Sequence, residues 1–285
     1  MQGWPLAAAL LSALLHASWN AAIKAHAAPR EAMAAQMIAA AVLGACGLVF
    51  TGLPPSSAWP WIGTSTLLNV CAVSALLRAY EHGGFGTVYP VMRAVGVLAV
   101  AAGAPFVLGE RLGPAALLGV AMVAAALLGL TWDSWKGKGR AAGQGFPPKA
   151  LGWTVLAGTL TGGYVIADAQ GARAGGGSPL SYGLAVSVTN ALAMSWVSRG
   201  LGTPWVLLAR HGRLAWPASV ASMVSYLLIL WVFTQAPVAP AAALRDTSAI
   251  FAMLIAVLWL KERFSAARLA AVGLALAGVP LLRLG

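Results

Sequence analysis

The stretch YPVMRAVGVLAVAAGAPFVLGER, Tyr89–Arg111, decides the fold. Between Arg93 and Glu110 every residue is apolar, Gly or Pro. A helix needs roughly 20 apolar residues to cross the hydrocarbon core of a bilayer, and this run with its flanks meets that length. Moved forward by 152 positions, it falls on AAALRDTSAIFAMLIAVLWLKER, Ala241–Arg263, without a gap. Arg93 then lies on Arg245, and Glu110-Arg111 on Glu262-Arg263. Alanine and leucine matches are cheap in such a composition, but three charged positions in register are not, so the chain reads as a duplication.

Outward from this segment the same character continues. Of the 285 residues, 60% are apolar and 9% are charged, against roughly 45–50% and about 25% in soluble globular domains. So few charges cannot cover a water-facing surface, which excludes a soluble enzyme, a disordered chain and a disulfide-stapled secreted domain. Cys46 and Cys71 both fall inside apolar runs, with no CxxC spacing between them. Ten apolar stretches can be counted, at about 4–24, 32–53, 61–80, 86–108, 113–131, 150–170, 179–201, 214–234, 238–260 and 266–283. Pro and Gly punctuate their ends. The first stretch has no basic segment before it and is expected to be a retained span.

The fold expected is therefore an all-α polytopic membrane protein of ten transmembrane helices. Residues 1–131 form the first five-helix repeat and 150–285 the second. Between them, 132–149 make a basic, flexible linker carrying Lys136, Lys138, Arg140 and Lys149. An odd number of spans per repeat makes the second half enter the membrane from the opposite side, an inverted-topology repeat. Orientation follows from charge. Of the 18 Lys and Arg, all but Arg111, Arg173, Arg245 and Arg283 fall on the linker side of the ten spans. The positive-inside rule then places the linker in the cytoplasm and both termini outside a bacterial-type inner membrane. The net charge of +11 is read as this orientation signal and not as a nucleic-acid footprint.

Polar side chains inside spans are expensive in lipid and so carry the information. In the first span Ser12, His16, Trp19 and Asn20 share one helical face, and in the sixth Thr161, Tyr164 and Asp168 share another. Span 3 adds Arg78 and Tyr80, and span 8 adds Tyr226. Tyr and Trp offer an apolar face together with a donor, which suits a ligand with an apolar side chain and a small polar head. These faces read equally as interhelical hydrogen bonding. Arg93 and Glu110 are 17 residues apart, roughly 25 Å along a helix, and cannot pair with each other. An arginine in such a place either forks onto a carboxylate ligand or clamps an acid on a neighbouring span, such as Asp168 or Asp246. The clamp is expected for one of Arg93 and Arg245, because an inverted repeat puts them on opposite sides of the membrane. The Glu-Arg pairs at 110–111 and 262–263 read as structural turns. Gly158 and Gly162 form a GxxxG pair that permits close helix approach. There is no P-loop, HExxH or GxSxG pattern, so neither an enzyme nor a cofactor or metal is expected.

The stretches LLHASWNAAIKA (Leu14–Ala25), LLRAYEHGGFGTVYPVMRAVGVLAVAAGAPFVLGERL (Leu76–Leu112), GGYVIADAQGAR (Gly162–Arg173) and LRDTSAIFAMLIAVLWLKERF (Leu244–Phe264) resemble the EamA-type drug/metabolite transporter superfamily. Within it the chain looks like the YddG-type exporters of aromatic amino acids. The resemblance covers essentially the whole chain and implies ten helices, alternating access by two inverted halves and export of small metabolites. One departure is that such proteins often end in a basic tail, which Leu281–Gly285 lacks.

The function expected is secondary export of neutral, mostly aromatic amino acids through a midplane cavity. Its expected binding residues are His16, Trp19, Asn20, Arg78, Tyr80, Thr161, Tyr164, Tyr226 and Arg245, with Arg245 or Asn20 meeting the carboxylate. Arg93, Glu110, Asp168 and Glu262 are expected to be structural. The expected partners are the amino acid and the lipid bilayer, no nucleic acid is expected, and a monomer suffices for transport. The alternatives are efflux of lipophilic or cationic drugs, for which Asp168 is the acid in question, and a non-transporting structural membrane protein.

Overall fold

Helix starts are written in proline. Seven of the ten α-helices carry Pro as their first or second residue, where its missing N–H is one that a helix leaves unpaired anyway. In lipid that choice matters more, because no water is there to satisfy an orphan donor. The computed structural model describes residues 3–83, 85–129, 147–174, 179–197, 199–248, 250–251 and 266–282. Among these the helices are α1 (Trp4–Lys24), α2 (Pro29–Thr51), α3 (Trp59–His82), α4 (Phe85–Val107), α5 (Pro114–Gly129), α6 (Pro148–Ala174), α7 (Pro179–Val197), α8 (Pro204–Gln235), α9 (Val238–Asp246) and α10 (Ala266–Leu282). No strand occurs among the described residues.

Among the described residues six segments are long and apolar enough to cross a membrane: Trp4–Ile23, Pro29–Thr51, Ser56–His82, Val88–Val107, Pro148–Ala174 and Pro204–Gln235. Their outer faces are apolar as well. Phe50 is 88% and Phe106 89% exposed, and Trp4, Trp196 and Trp205 stand out from helix ends. In water such a surface would drive association; in a bilayer it is the lipid face. The helices therefore suit a multi-pass membrane protein.

Expected stretches and helices agree closely, with two differences. Helix α8 begins at Pro204, ahead of the apolar run expected from 214, because Pro204 nucleates it and Arg210, His211 and Arg213 ride on its first turns. The ninth stretch is described as a helix to Asp246 and then only in part. Glu262, with Lys261 and Arg263, lies outside the described residues, as does linker segment 130–146. Pro148 and Lys149, expected in the linker, belong to the first turn of α6.

Helices α6 and α8 organise the packing. Helix α6 lies against α3 and α4, α8 lies against α1 and α2, α2 also packs on α7, and α5 on α10. The approach of α6 to α4 is made by glycine. A Cβ on Gly158 would come within 2.7 Å of the Met92 carbonyl oxygen, and one on Gly162 within 2.6 Å of the Ala99 Cβ. This is the close contact that the GxxxG spacing permits.

Candidate functional site

The centre of the molecule is a guanidinium. Arg93 lies on α4, is 8% exposed, and donates from Nη1 to Asp246 Oδ1 on α9 at 2.8 Å. Its Nη2 donates to His16 Nε2 on α1 at 2.9 Å and to the Tyr89 hydroxyl at 2.8 Å. Arginine has only donors, so His16 accepts here. Tyr89 sits one turn before Arg93 and also takes its Nε at 3.1 Å. Three helices from both parts of the chain are thus tied to one side chain. A buried charge is tolerable only when paired and hydrogen-bonded in this way.

Beside this network runs a narrow cavity lined by Arg93, Gly96, Val100, Thr161, Val165, Phe233, Ala242, Arg245 and Asp246. Its free volume is about 10 Å³, enough for about one water. The site is closed in this conformation. Arg245 differs from Arg93: its Nε is buried without a hydrogen-bond partner, and no described carboxylate pairs with it.

The two arginines were expected on opposite sides of the membrane, and the structure corrects this, since both line one cavity. Each lies seven or eight residues inside its helix, about 10–12 Å deep at 1.5 Å per residue.

The remaining expected residues divide. Thr161 lines the cavity, although its hydroxyl is used within α6, donating to the Ala157 carbonyl at 2.8 Å. Trp19 stands edge-on to His16 with ring centroids 5.3 Å apart, and its indole Nε1 is buried without a partner. Asn20 is turned back onto its own helix, Nδ2 donating to the His16 carbonyl at 2.8 Å. Ser12 bonds across to Ser225 of α8, an interhelical contact away from the cavity. Tyr164 packs against the main core cluster. Tyr80 stays near Tyr89 and Arg93. Arg78 is exposed near the end of α3, its guanidinium over the Trp153 ring at 5.2 Å, and joins no other site residue.

Asp168 is 3% exposed on α6 and accepts from the Ser65 hydroxyl of α3 at 2.6 Å and the Tyr182 hydroxyl of α7 at 3.0 Å. The Tyr226 hydroxyl is buried close to this carboxyl but meets no partner with hydrogen-bond geometry. Glu110 serves as a corner. Oε1 accepts from Arg173 Nη2 at 2.6 Å and Oε2 from the Val238 N–H at 2.7 Å, while Arg173 Nε donates to the Phe233 carbonyl at 2.8 Å. This fastens the ends of α4, α6 and α8 and caps the start of α9.

Sequence reasoning missed Tyr89, Ser65 and Tyr182. Tyr89 was within reach of it, four residues before Arg93, whereas Ser65 and Tyr182 meet Asp168 only through tertiary packing. It also passed over His211, which meets Glu31 at 2.9 Å and stands edge-on to His26. A larger cleft of about 410 Å³ opens among Ala34, Met37, Ile38, Met194, Arg199 and Leu207. It has no buried unpaired charge and lies apart from the central network.

No family model matches the chain. No curated protein matches it. Solved structures do match: one crystal structure of a protein aligns over 98% of this chain and 95% of its own, with a TM-score of 0.68 and 19% identity. That likeness is one of fold.

Proposed function

We propose that the chain is a secondary transporter of the EamA-type drug/metabolite superfamily. It exports neutral, chiefly aromatic amino acids by alternating access of two inverted five-helix repeats. The observation that carries this reading is Arg245, a partly buried cation whose buried Nε has no partner, in the wall of a cavity also lined by the Arg93–Asp246 pair. A carboxylate is the group such a donor takes best. Tyr164 and Tyr226 lie within electrostatic reach of Arg245, and Trp19 stands against His16, a partner of Arg93.

Packing supports the inverted arrangement. The first helix of each half lies on the third helix of the other, α1 on α8 and α6 on α3, while the paired equivalents α2 with α7 and α5 with α10 meet directly. The chain ends and the linker then face opposite sides, with the linker cytoplasmic by the positive-inside rule. Transport needs no covalent step. Cavity hydrogen bonds replace water around the substrate head groups, and rocking of the halves opens the closed cavity to either side in turn. Counterflow into proteoliposomes of the purified chain, with labelled phenylalanine outside and unlabelled inside, tests the reading. Saturable uptake is expected. Uptake of an organic cation with no amino-acid uptake would transfer the case to drug efflux.

A further inference from the structure

We infer that Asp168 is the ammonium-binding counterpart of Arg245, so that the site takes an α-amino acid as a zwitterion held at both charges. The inference rests on the transport reading and adds the specificity determinant to it.

Four charged side chains surround the centre, three of them buried and Arg245 partly so, and only two form an ion pair. Arg93 and Asp246 make that pair. No described carboxylate lies within ion-pair distance of Arg245 and no described cation within that distance of Asp168, whose hydrogen bonds on Oδ1 come from neutral hydroxyls. A carboxylate is a costly way to accept two hydroxyl bonds in a membrane interior, since an amide oxygen would accept them without a buried charge. The charge itself therefore has a use, and a positive partner is what it lacks.

Placement fits the pair. Arg173 fastens the end of α6 to the α8–α9 connection, so depths can be compared from that end. Asp168 lies six residues before the end of α6 and Arg245 seven past the start of α9, which is about 9 Å and about 10 Å at 1.5 Å per residue. The two charges sit at one level, beyond ion-pair distance but within electrostatic reach of each other. Along α6, Thr161, Val165 and Asp168 follow one stripe, and the first two line the cavity. The site is also built with care. A Cβ on Gly171 would run into the Tyr182 ring, so the glycine admits the ring whose hydroxyl holds Asp168. Nearby, the buried Tyr226 hydroxyl lies beside the same carboxyl, and its oxygen can accept from an ammonium. An amino acid entering as the cavity widens meets both unpaired charges at once: carboxylate on Arg245, ammonium between Asp168 and Tyr226.

The test is competition in counterflow by the full-length protein. Labelled phenylalanine is exchanged against unlabelled phenylalanine, 3-phenylpropionate (no ammonium) or 2-phenylethylamine (no carboxylate). Each charge-assisted contact is worth about tenfold or more in affinity, so both analogues are expected to compete at least about tenfold more weakly than phenylalanine. In Asp168→Asn the preference for phenylalanine over 3-phenylpropionate is expected to collapse to within about twofold, while the preference over 2-phenylethylamine persists. Arg245→Gln gives the mirror pattern, and Asp168→Glu retains the ammonium preference. Wild-type protein that accepts 3-phenylpropionate as well as phenylalanine overturns the inference without any mutant, and so does an Asp168→Asn protein that keeps its full preference. Exchange of none of the three by folded wild type overturns the transport reading itself.

Discussion

Removing Arg93 exposes what the central network contributes. Asp246 is 7% exposed and its carboxylate receives one side-chain hydrogen bond, from Arg93. Arg93→Met therefore leaves a buried carboxylate without its ion-pair partner and donor, Arg245 acting on it only through space, and also frees His16 Nε2 and the Tyr89 hydroxyl from it. Breaking a buried pair from one side costs roughly 3–5 kcal/mol. At about 2–4 °C per kcal/mol for a chain of this order, the apparent Tm in detergent should fall by roughly 6–20 °C. Asp246→Asn is milder, about 1.5–3 kcal/mol, because Arg93 keeps Tyr89 and His16. The double variant removes both charges and should regain part of the loss, giving a coupling of about 2–3 kcal/mol in a thermal-denaturation cycle. Additive single losses, within about 0.5 kcal/mol, would refute the reasoning that the pair holds α4 to α9.

Three further outcomes follow from particular contacts. Gly162→Leu must displace Ala99 and the Gly96 carbonyl across the α4–α6 contact and should cost about 1–3 kcal/mol or more. Gly152→Ala, with nothing within 4 Å of its Cβ, should stay within about 0.5 kcal/mol of wild type; equal Tm values for the two would contradict the packing argument. Glu110→Ala strands the Val238 N–H and Arg173, and a loss of about 1.5–3 kcal/mol in denaturation is expected. Trp19→Ala and Tyr164→Ala should lower transport while folded protein is recovered by size exclusion, and wild-type flux in both would remove these aromatics from the site.

Much of the helical plan was legible because lipid imposes a length on apolar runs and proline marks where they begin. Leu14, Phe50 and Phe106 needed no partner in the sequence, since the bilayer is their partner. Arg93 was legible as a charge requiring an acid, and Asp246 stands next to its counterpart Arg245 in the chain. What could not be read was depth. Arg93 and Arg245 stand 152 positions apart in the chain, yet both line one cavity. Asp168 reads from the sequence as an acid that an arginine on a neighbouring span could clamp, and the hydroxyls it meets, on Ser65 and Tyr182, belong to α3 and α7, more than ten positions away along the chain. Helical periodicity relates residues within one helix; it cannot tell which other helix presents a hydroxyl. Ser12 shows the same limit, as its face meets Ser225 and not a ligand.

The most direct measurement is counterflow of labelled phenylalanine by wild type and Arg245→Gln in matched proteoliposomes, with Arg78→Gln as a third arm because Arg78 lies outside the cavity. The account predicts saturable exchange by wild type and by Arg78→Gln, and at least about tenfold weaker apparent affinity for Arg245→Gln, the loss of one charge-assisted contact. Saturable exchange with unchanged affinity in Arg245→Gln, or no exchange by folded wild type, would contradict it.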